Sequence, residues 1–473
     1  FFGLRGVVVP ELRSEFGLSS SGIGRILGVG LWPFAFSIIF FSLIIDKIGY
    51  KACAYFAIVA HTVAVLGTLL AVQQKSVELL YWSTFLVAVA NGAVEGFINP
   101  VVATIFNKEK SKWLNILHAG WPAGMALGAA FGLVIGEASL MVKFGICLIP
   151  VVFYALLTFP RTFPVQERVA AGVSYRDMLR VVGAFGFFLM TLLVVMGIAQ
   201  ITESELSYPL ALGIAAAVAL VAFIYTRSMG NVMFLVILLS MPLLATTELG
   251  TDSWMADLLS ADLGALAGWI FVLSSVIMTI LRFYAGPIVH KFSPTGLLVA
   301  SAALATIGLL FLGVAPGSLM VVAAITYALG KTFLWSTTLG VVSEQFPKGG
   351  ALTLNGVSAI GVLGMGIIGA PLMGKYLDEG IDKDLKTKQA LYAKVNGDVQ
   401  PTMFGKVPSL DTDVVDKLSE EEKKQLDEVV NPNKKRAFLR QAAIPAVLLL
   451  IYLGLFFHFR SRGGYKPVEL GAE

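Results

Sequence analysis

The stretch LNILHAGWPAGM, Leu114 to Met125, returns in the second half of the chain as LNGVSAIGVLGM, Leu354 to Met365. The spacing is kept upstream: Phe106 and Lys108 precede the first copy as Phe346 and Lys348 precede the second. Both copies stand where a polar connection enters a long apolar segment. A membrane chain built from two related halves points to movement of something across the bilayer.

Composition sets the class. The chain has 473 residues, of which 56% are hydrophobic and only 14% charged; soluble domains carry about a quarter charged. Apolar runs of about 20 residues recur, enough to cross a hydrocarbon core of roughly 30 Å. In lipid only helices or closed barrels satisfy every backbone group, and runs this long exclude barrel strands. The expected fold class is an all-α polytopic membrane protein. The net charge of +4 is spread over short loops, which gives no patch for nucleic acid. Cys53 and Cys147 fall inside apolar segments with no metal-ligand or disulfide spacing, so neither a metal nor a cofactor is expected.

The pattern predicts helices over 23–45, 52–72, 78–105, 113–136, 142–160, 181–201, 209–226, 232–249, 264–289, 296–315, 318–343, 351–376 and 437–459. Phe1 to Val9 read as the tail of a first span, making about fourteen. Basic residues gather in alternate loops, from Lys47 and Lys51 through Lys108, Arg168 and Lys291 to Arg460. The intervening loops, such as 202–208 and 250–263, are poor in them. The parity holds only if 181–226 is two spans, and it places the basic loops in the cytoplasm. The halves are then 1–160 and 229–473, joined by a connector at 161–228 that carries the extra pair. One connection is long and charged, 378–436, and falls on the outer side. Within it Ser419 and Glu422 have the spacing of a capping box, opening a short helix with Leu426, Val429 and Val430 on its apolar face. It is either a solvated insertion or a cap over the outer mouth of a pathway.

Between the second and third spans lies SLIIDKIGYK, Ser42 to Lys51, with a degraded counterpart GPIVHKFSPT, Gly286 to Thr295. Asp46, Lys47, Gly49 and Lys51, with His290 and Lys291, form a candidate gate. Gly49 gives the turn its backbone freedom, and charge contacts there can hold two helices together until one bundle rocks against the other. The alternative is a basic loop without gating role. The motif resembles the cytoplasmic loop signature of the major facilitator superfamily, with Ser42 in place of the usual first small residue. That resemblance implies two six-helix bundles related by a pseudo-twofold axis, a binding site between them near the midplane and alternating access. Two extra helices between the halves fit its fourteen-span members.

Ionisable groups at bilayer depth cost roughly 2.5–3.5 kcal/mol on insertion scales and are functional candidates. Glu95 lies well inside the fourth span with Asn99 one turn along. Asn115 and His118 share a face of the fifth, and Trp121 adds a flat ring suited to a sugar face or to packing. In the second half Glu248 ends an apolar run, lining a cavity or lying at the interface with Asp252. Lys331 and Trp335 stand at the repeat positions of Asn91 and Glu95, and Asn355 at that of Asn115. Lys331 at this depth either snorkels or pairs with a carboxylate, with Glu95 or Glu248 as the expected partner. Glycines at four-residue spacing, Gly120 to Gly136, suggest smooth helix contacts.

The string Glu95 to Pro100, EGFINP, followed by Leu114-Asn115, resembles the fucose–galactose–glucose:proton symporter family within that superfamily. The resemblance implies that Glu95 is a proton- or sugar-binding carboxylate, that Asn115 is a sugar ligand, and that Glu248 is the acid of the seventh span. His118 departs from the Gln common in the fucose branch. The expectation is a secondary transporter of a small polar solute, a sugar by preference, coupled to H⁺ or Na⁺, monomeric, in the cell (inner) membrane. An exporter or organic-anion or drug carrier of the same superfamily, and a sensor that no longer transports, remain the alternatives. No phosphate-gripping loop, HExxH or membrane-edge Asp/His cluster suggests an enzyme.

Overall fold

The structure, a computed structural model, describes residues 2–18, 20–201, 206–264, 266–397, 400–402, 405–407, 409–415 and 417–470. Phe1 and residues 202–205 of the basic-poor connection lie outside them. The chain opens with α1 (Phe2–Val7, continued by Val9–Phe16). The first half goes on with α2 (Arg25–Ile48), α3 (Tyr50–Gln74), α4 (Val77–Ile105), α5 (Lys110–Val134) and α6 (Leu140–Thr158). A hairpin of α7 (Tyr175–Gln200) and α8 (Tyr208–Thr226) follows. The second half holds α9 (Val232–Gly250), α10 (Leu266–Phe283), α11 (Pro294–Val314), α12 (Leu319–Gln345), α13 (Pro347–Leu385) and α14 (Glu420–Ser461). Among the described residues, α2 to α14 are the thirteen helices long and apolar enough to cross a membrane. Each expected segment has its helix.

Local chemistry sets several boundaries. Ser76, Asn231 and Ser293 cap α4, α9 and α11, their side-chain oxygens accepting from Leu79, Phe234 and Gly296 N–H, which satisfies donors that a helix start leaves free. Gly49 turns α2 into α3 at φ +78°, a conformation costly for any residue with a Cβ. Several boundaries differ from expectation: α13 runs on to Leu385, and the helix that Ser419 opens is not short and separate but begins α14 at Glu420. α9 does not stop near 249: a π-turn over Thr246–Gly250 leads straight into a helix over Thr251–Leu263. The polar residues that suggested a loop are satisfied from neighbouring helices, Thr251 by Gln441 and Asp252 by Lys331.

The duplication is present in the backbone. Phe106 ends α4 at φ −110°, ψ 47° and Phe346 ends α12 at φ −127°, ψ 49°. Phe106 N–H donates to Val102 O at 3.0 Å and Phe346 N–H to Val342 O at 2.9 Å; Glu109 and Gly349 N–H close the next turn onto those phenylalanine carbonyls.

Within the first half α4 packs against α2 and α3, and within the second α11 packs against α12 and α14. The halves meet where α13 lies along α2 and α4, and where α5 lies along α12 and α10. A single apolar cluster runs through this seam, from Phe34, Ile38 and Leu114 to Ile237, Leu339 and Ile360. α7 rests against α9 and α13, and backbone bonds tie the hairpin down, Ala184 N–H to Ser228 O and Asn231 N–H to Val181 O, both 2.9 Å. Of the glycine ladder in α5, Gly128 and Gly132 lie against α1, while Gly120 and Gly124 have nothing beside them.

The charged connection between α13 and α14 has its own small core, with Leu385, Leu391, Val395, Leu418, Leu426 and Val429. It also carries a two-stranded antiparallel hairpin, β1 (Gln400–Thr402) and β2 (Gly405–Val407). The capping box of Ser419 and Glu422 is formed. The start of α14 packs on α11 and on the end of the Thr251–Leu263 helix, where Lys435 pairs with Asp262 at 3.0 Å.

Two glycines separate packing within a half from packing between halves. A Cβ on Gly308 would overlap the Tyr327 backbone inside the second half, whereas one on Gly340 would come 2.7 Å from Ser111 Cα across the seam. Overpacking costs about 1–3 kcal/mol. Gly308→Val is expected to lower the melting temperature, read by intrinsic fluorescence, while Gly340→Val relieves its clash by letting the halves part and melts near wild type. Equal losses would contradict the division into two bodies.

Candidate functional site between the two halves

Polar side chains of α4 and α5 converge on the plane between the halves. Asn99, one turn from Glu95 on α4, donates through Nδ2 to Glu95 Oε1 at 2.8 Å. Its Oδ1 faces His118 Nε2 at 3.0 Å, so Nε2 is the ring nitrogen that carries hydrogen. Ser358, at the repeat position of His118, lies beside Glu95 from α13. Glu95 is half-buried; Asn99 and His118 are buried. Trp121 is 37% exposed and lies against Phe34 and Phe2, with centroids 6.3 and 5.4 Å away.

The second half supplies two buried ion pairs. Glu248, 2% exposed, meets Arg282 of α10 at 2.7 Å, and its other oxygen accepts from Trp335 N–H at 3.2 Å. Lys331, fully buried, pairs with both carboxylate oxygens of Asp252. This corrects the expected partner of Lys331. The π-turn at Thr246–Gly250 inserts a residue into α9. Glu248 faces Arg282, and Asp252, just past the turn, faces Lys331. Glu248 is therefore an interior residue and not an interfacial one. The Trp335 ring packs on Gly361 of α13.

The duplicated asparagines cross the seam in opposite senses. Asn115 Oδ1 accepts from Ser336 Oγ at 2.6 Å, and its Nδ2 donates to Ser111 O at 2.8 Å and Thr337 Oγ1 at 3.3 Å. Asn355 Nδ2 donates to Gly96 O at 2.8 Å, and its Oδ1 accepts from Asn99 at 3.3 Å. Ser336 and Gly96 are themselves repeat partners. Each half thus clamps the other at corresponding positions. Both asparagines are fully buried, and in this conformation their polar atoms are engaged by the seam.

The basic-loop side is bolted shut around the candidate gate. Asp46 pairs with Arg168 of the connector. The Gln166 amide, oriented to satisfy both neighbours, donates to Asp46 Oδ1 at 2.8 Å and accepts from Ala351 N–H of the second half at 2.7 Å. Lys110 reaches Glu167 at 2.6 Å and Ser343 O at 3.3 Å, while Ser111 N–H donates to Glu344 at 2.8 Å. Tyr465 of the chain's tail donates to the other oxygen of Glu344 at 2.7 Å. His290 approaches Glu109 at 3.3 Å. Hydrogen bonding from Lys112 first, and then from His290, holds the Glu109 carboxyl below its ordinary pKa, so that contact persists until pH falls through the lowered value. Lys47, Lys51 and Lys291 lie over the rings of Tyr175, Tyr55 and Phe292.

The structure thus links Glu95, Asn99, His118 and Asn355 by hydrogen bonds, while Asn115 bonds separately to Ser336 and Thr337, and Glu248, Trp335 and Lys331 belong to the charged interior of the second half. Trp121 takes no part in those bonds and packs on Phe34 and Phe2. Sequence reasoning missed Arg282, Asp252 as a cation's partner, Ser336, Thr337, Glu344 and the connector residues Gln166 and Arg168. Arg282 sits at the end of an apolar run and reads there as an ordinary flanking base.

The sequence profile of the Major Facilitator Superfamily matches residues 1–261, and the chain belongs to that superfamily of membrane transporters. Its fold is shared by FucP, the E. coli fucose:proton symporter, solved in the outward conformation at 14% identity, with 96% of each chain covered and a TM-score of 0.61. The proton:xylose symporter XylE matches at 13% identity, 100% and 95% coverage and 0.59. The human organic anion transporter MFSD10 matches at 12%, 95% and 90%, and 0.58. No curated protein sequence matches the chain.

Leaving a buried polar partner unsatisfied costs about 1–3 kcal/mol. Asn115→Ala and Asn355→Ala are each expected to raise hydrogen–deuterium exchange in 106–118 and 334–346 without raising it in 232–245. Unchanged exchange in the first two segments would show that the clamps do not hold the seam.

Proposed function

We propose that the chain is a secondary active transporter that moves a small polar solute, a sugar by preference, by alternating access, with H⁺ as the coupling ion. The halves 1–160 and 229–473 are the rocking bodies, joined through the connector at 161–228. On this reading it works as a monomer in the cell (inner) membrane, with the basic loops on the cytoplasmic side. It binds its solute where α4, α5, α9 and α12 approach one another.

One observation carries the reading: Glu95, a carboxylate at bilayer depth, is joined through Asn99 to both His118 and Asn355, so that its charge is felt on both sides of the seam. A carboxylate bonded to groups of both halves can make the union of the halves depend on whether it holds a proton. Hydroxyl-rich solutes fit the amide and imidazole groups joined to it. The sugar:proton symporters among the fold's relatives, FucP and XylE, agree with this choice. The buried cations Arg282 and Lys331 favour a second reading, an organic-anion carrier like MFSD10 by its printed description. Both cations already have carboxylate partners, which weighs against it. The seam bonds tying Asn115 to the second half recast its role: it meets solute only when the basic side opens.

In proteoliposomes with an imposed pH gradient and a panel of labelled monosaccharides and organic anions, concentrative uptake is expected for a sugar. Glu95→Gln is expected to abolish concentration while equilibrium exchange survives. Equal loss of both would assign Glu95 to binding or folding, and uptake of anions alone would assign the second reading.

A further inference from the structure

Three irregularities in three different helices serve one side chain. In α5, Pro122 stands four residues after His118 and lacks the N–H that would donate to the His118 carbonyl in the helix ladder. Arg282, from the other half, takes that carbonyl through a terminal N–H at 3.1 Å. In α12 the helix breaks between Lys331 and Leu334, and Arg282 Nε donates to the Thr332 carbonyl at 2.6 Å. In α9 the π-turn presents Glu248, which accepts from the remaining Arg282 nitrogen at 2.7 Å. Arg282 is 1% exposed. Its planar fork is filled by two orphaned backbone carbonyls and one carboxylate, a set that lysine's single point charge cannot reproduce.

The arrangement has a direction. The Thr332 and Glu248 contacts lie within the second half, and they aim the guanidinium at the first. The His118 contact is the one that crosses. His118 then continues through its own ring to Asn99 and Glu95. The ionisable groups around Glu248 are Arg282 of α10, Lys331 and Tyr327 of α12, Asp252 just beyond α9 and Tyr452 of α14, with His118 of α5 beyond the guanidinium. Among these Arg282 is bonded to Glu248, while Lys331 is held by Asp252.

We infer that Arg282 is a positioning residue that makes the union of α5 with α10 conditional on the charge of Glu248. The ionised carboxylate holds the guanidinium where it reaches the His118 carbonyl. When Glu248 gains a proton on its carboxylate, the charge-assisted bond is lost, the fork loosens from His118 and the basic side opens. The inference rests on the transporter reading above, but it concerns a different carboxylate and a residue which that reading does not use.

The test uses the full chain with Cys53→Ala, Cys147→Ala and a reporter, Ser343→Cys, at a position buried in the closed seam. The rate of modification by a hydrophilic maleimide is measured in detergent. Arg282→Gln and Glu248→Gln are each expected to speed labelling about tenfold, since breaking a buried charge pair shifts a two-state equilibrium by at least that much. The double variant is expected to go no further than the singles. Arg282→Lys is expected to fall between, because an ammonium meets the carboxylate without filling the fork. Labelling without these changes should rise on acidification, and with Glu248→Gln it should be flat. Unchanged labelling in Arg282→Gln, or multiplying effects in the double variant, overturns the inference. If Arg282→Gln does not yield monodisperse protein, Glu248→Gln, which keeps the side-chain volume, decides alone. If Glu95→Gln leaves uptake intact while these variants open the seam, the proton-coupling reading fails and this one stands.

Discussion

A polar group at membrane depth must be hydrogen-bonded, and in this chain many such groups find their partners across the plane between the two halves. Asn115 reaches Ser336 and Thr337, Asn355 reaches Gly96, and Arg282 reaches the His118 carbonyl. These bonds do not stabilise the halves individually. They stabilise one relative position of the halves, because each would be left unsatisfied if the seam opened without water or solute to replace it. A structure held this way can exchange its partners for a solute on one side and for the opposite seam on the other.

Gene doubling explains why the clamps come in pairs. One asparagine at the start of one helix, copied, meets the same position of the copied neighbour in the other half. What differs between the copies is chemistry. Where the first half has Glu95 and Trp121, the second has Trp335 and Gly361, with the Trp335 ring packed on the glycine. The partly exposed indole and the carboxylate of one half thus correspond, by repeat position, to a glycine and a packed tryptophan in the other. The ion pairs Glu248–Arg282 and Lys331–Asp252 give the second half its own charged interior.

Much of the fold was legible in the sequence because span length and the alternation of basic loops are direct consequences of the bilayer. The expected segments 52–72, 78–105 and 209–226 meet their helices within a turn. The repeat LN at 114 and 354 marked the two asparagines, and EGFINP marked Glu95 and Asn99. Partners were less legible. The π-turn over Thr246–Gly250 sets Asp252, rather than Glu248, against Lys331, and nothing in TTELG announces it. Arg282 was overlooked because its role is set by carbonyls freed in other helices. The Pro122 that frees one of them lies four residues past His118, the one local signal that was available. The connector residues Gln166 and Arg168 act through tertiary placement, which loop sequence does not encode.

The most direct test of the account measures distances in two repeat-related pairs at opposite ends of the molecule. Spin labels at Lys108→Cys and Lys348→Cys report the basic side, and labels at Gln74→Cys and Val314→Cys report the other. All four positions are exposed. If the halves rock about the clamped seam, each pair shows two distance populations. Acidification or transported solute shifts them in opposite senses, one pair lengthening as the other shortens. A single distance for both pairs, or two pairs that lengthen together, would contradict it.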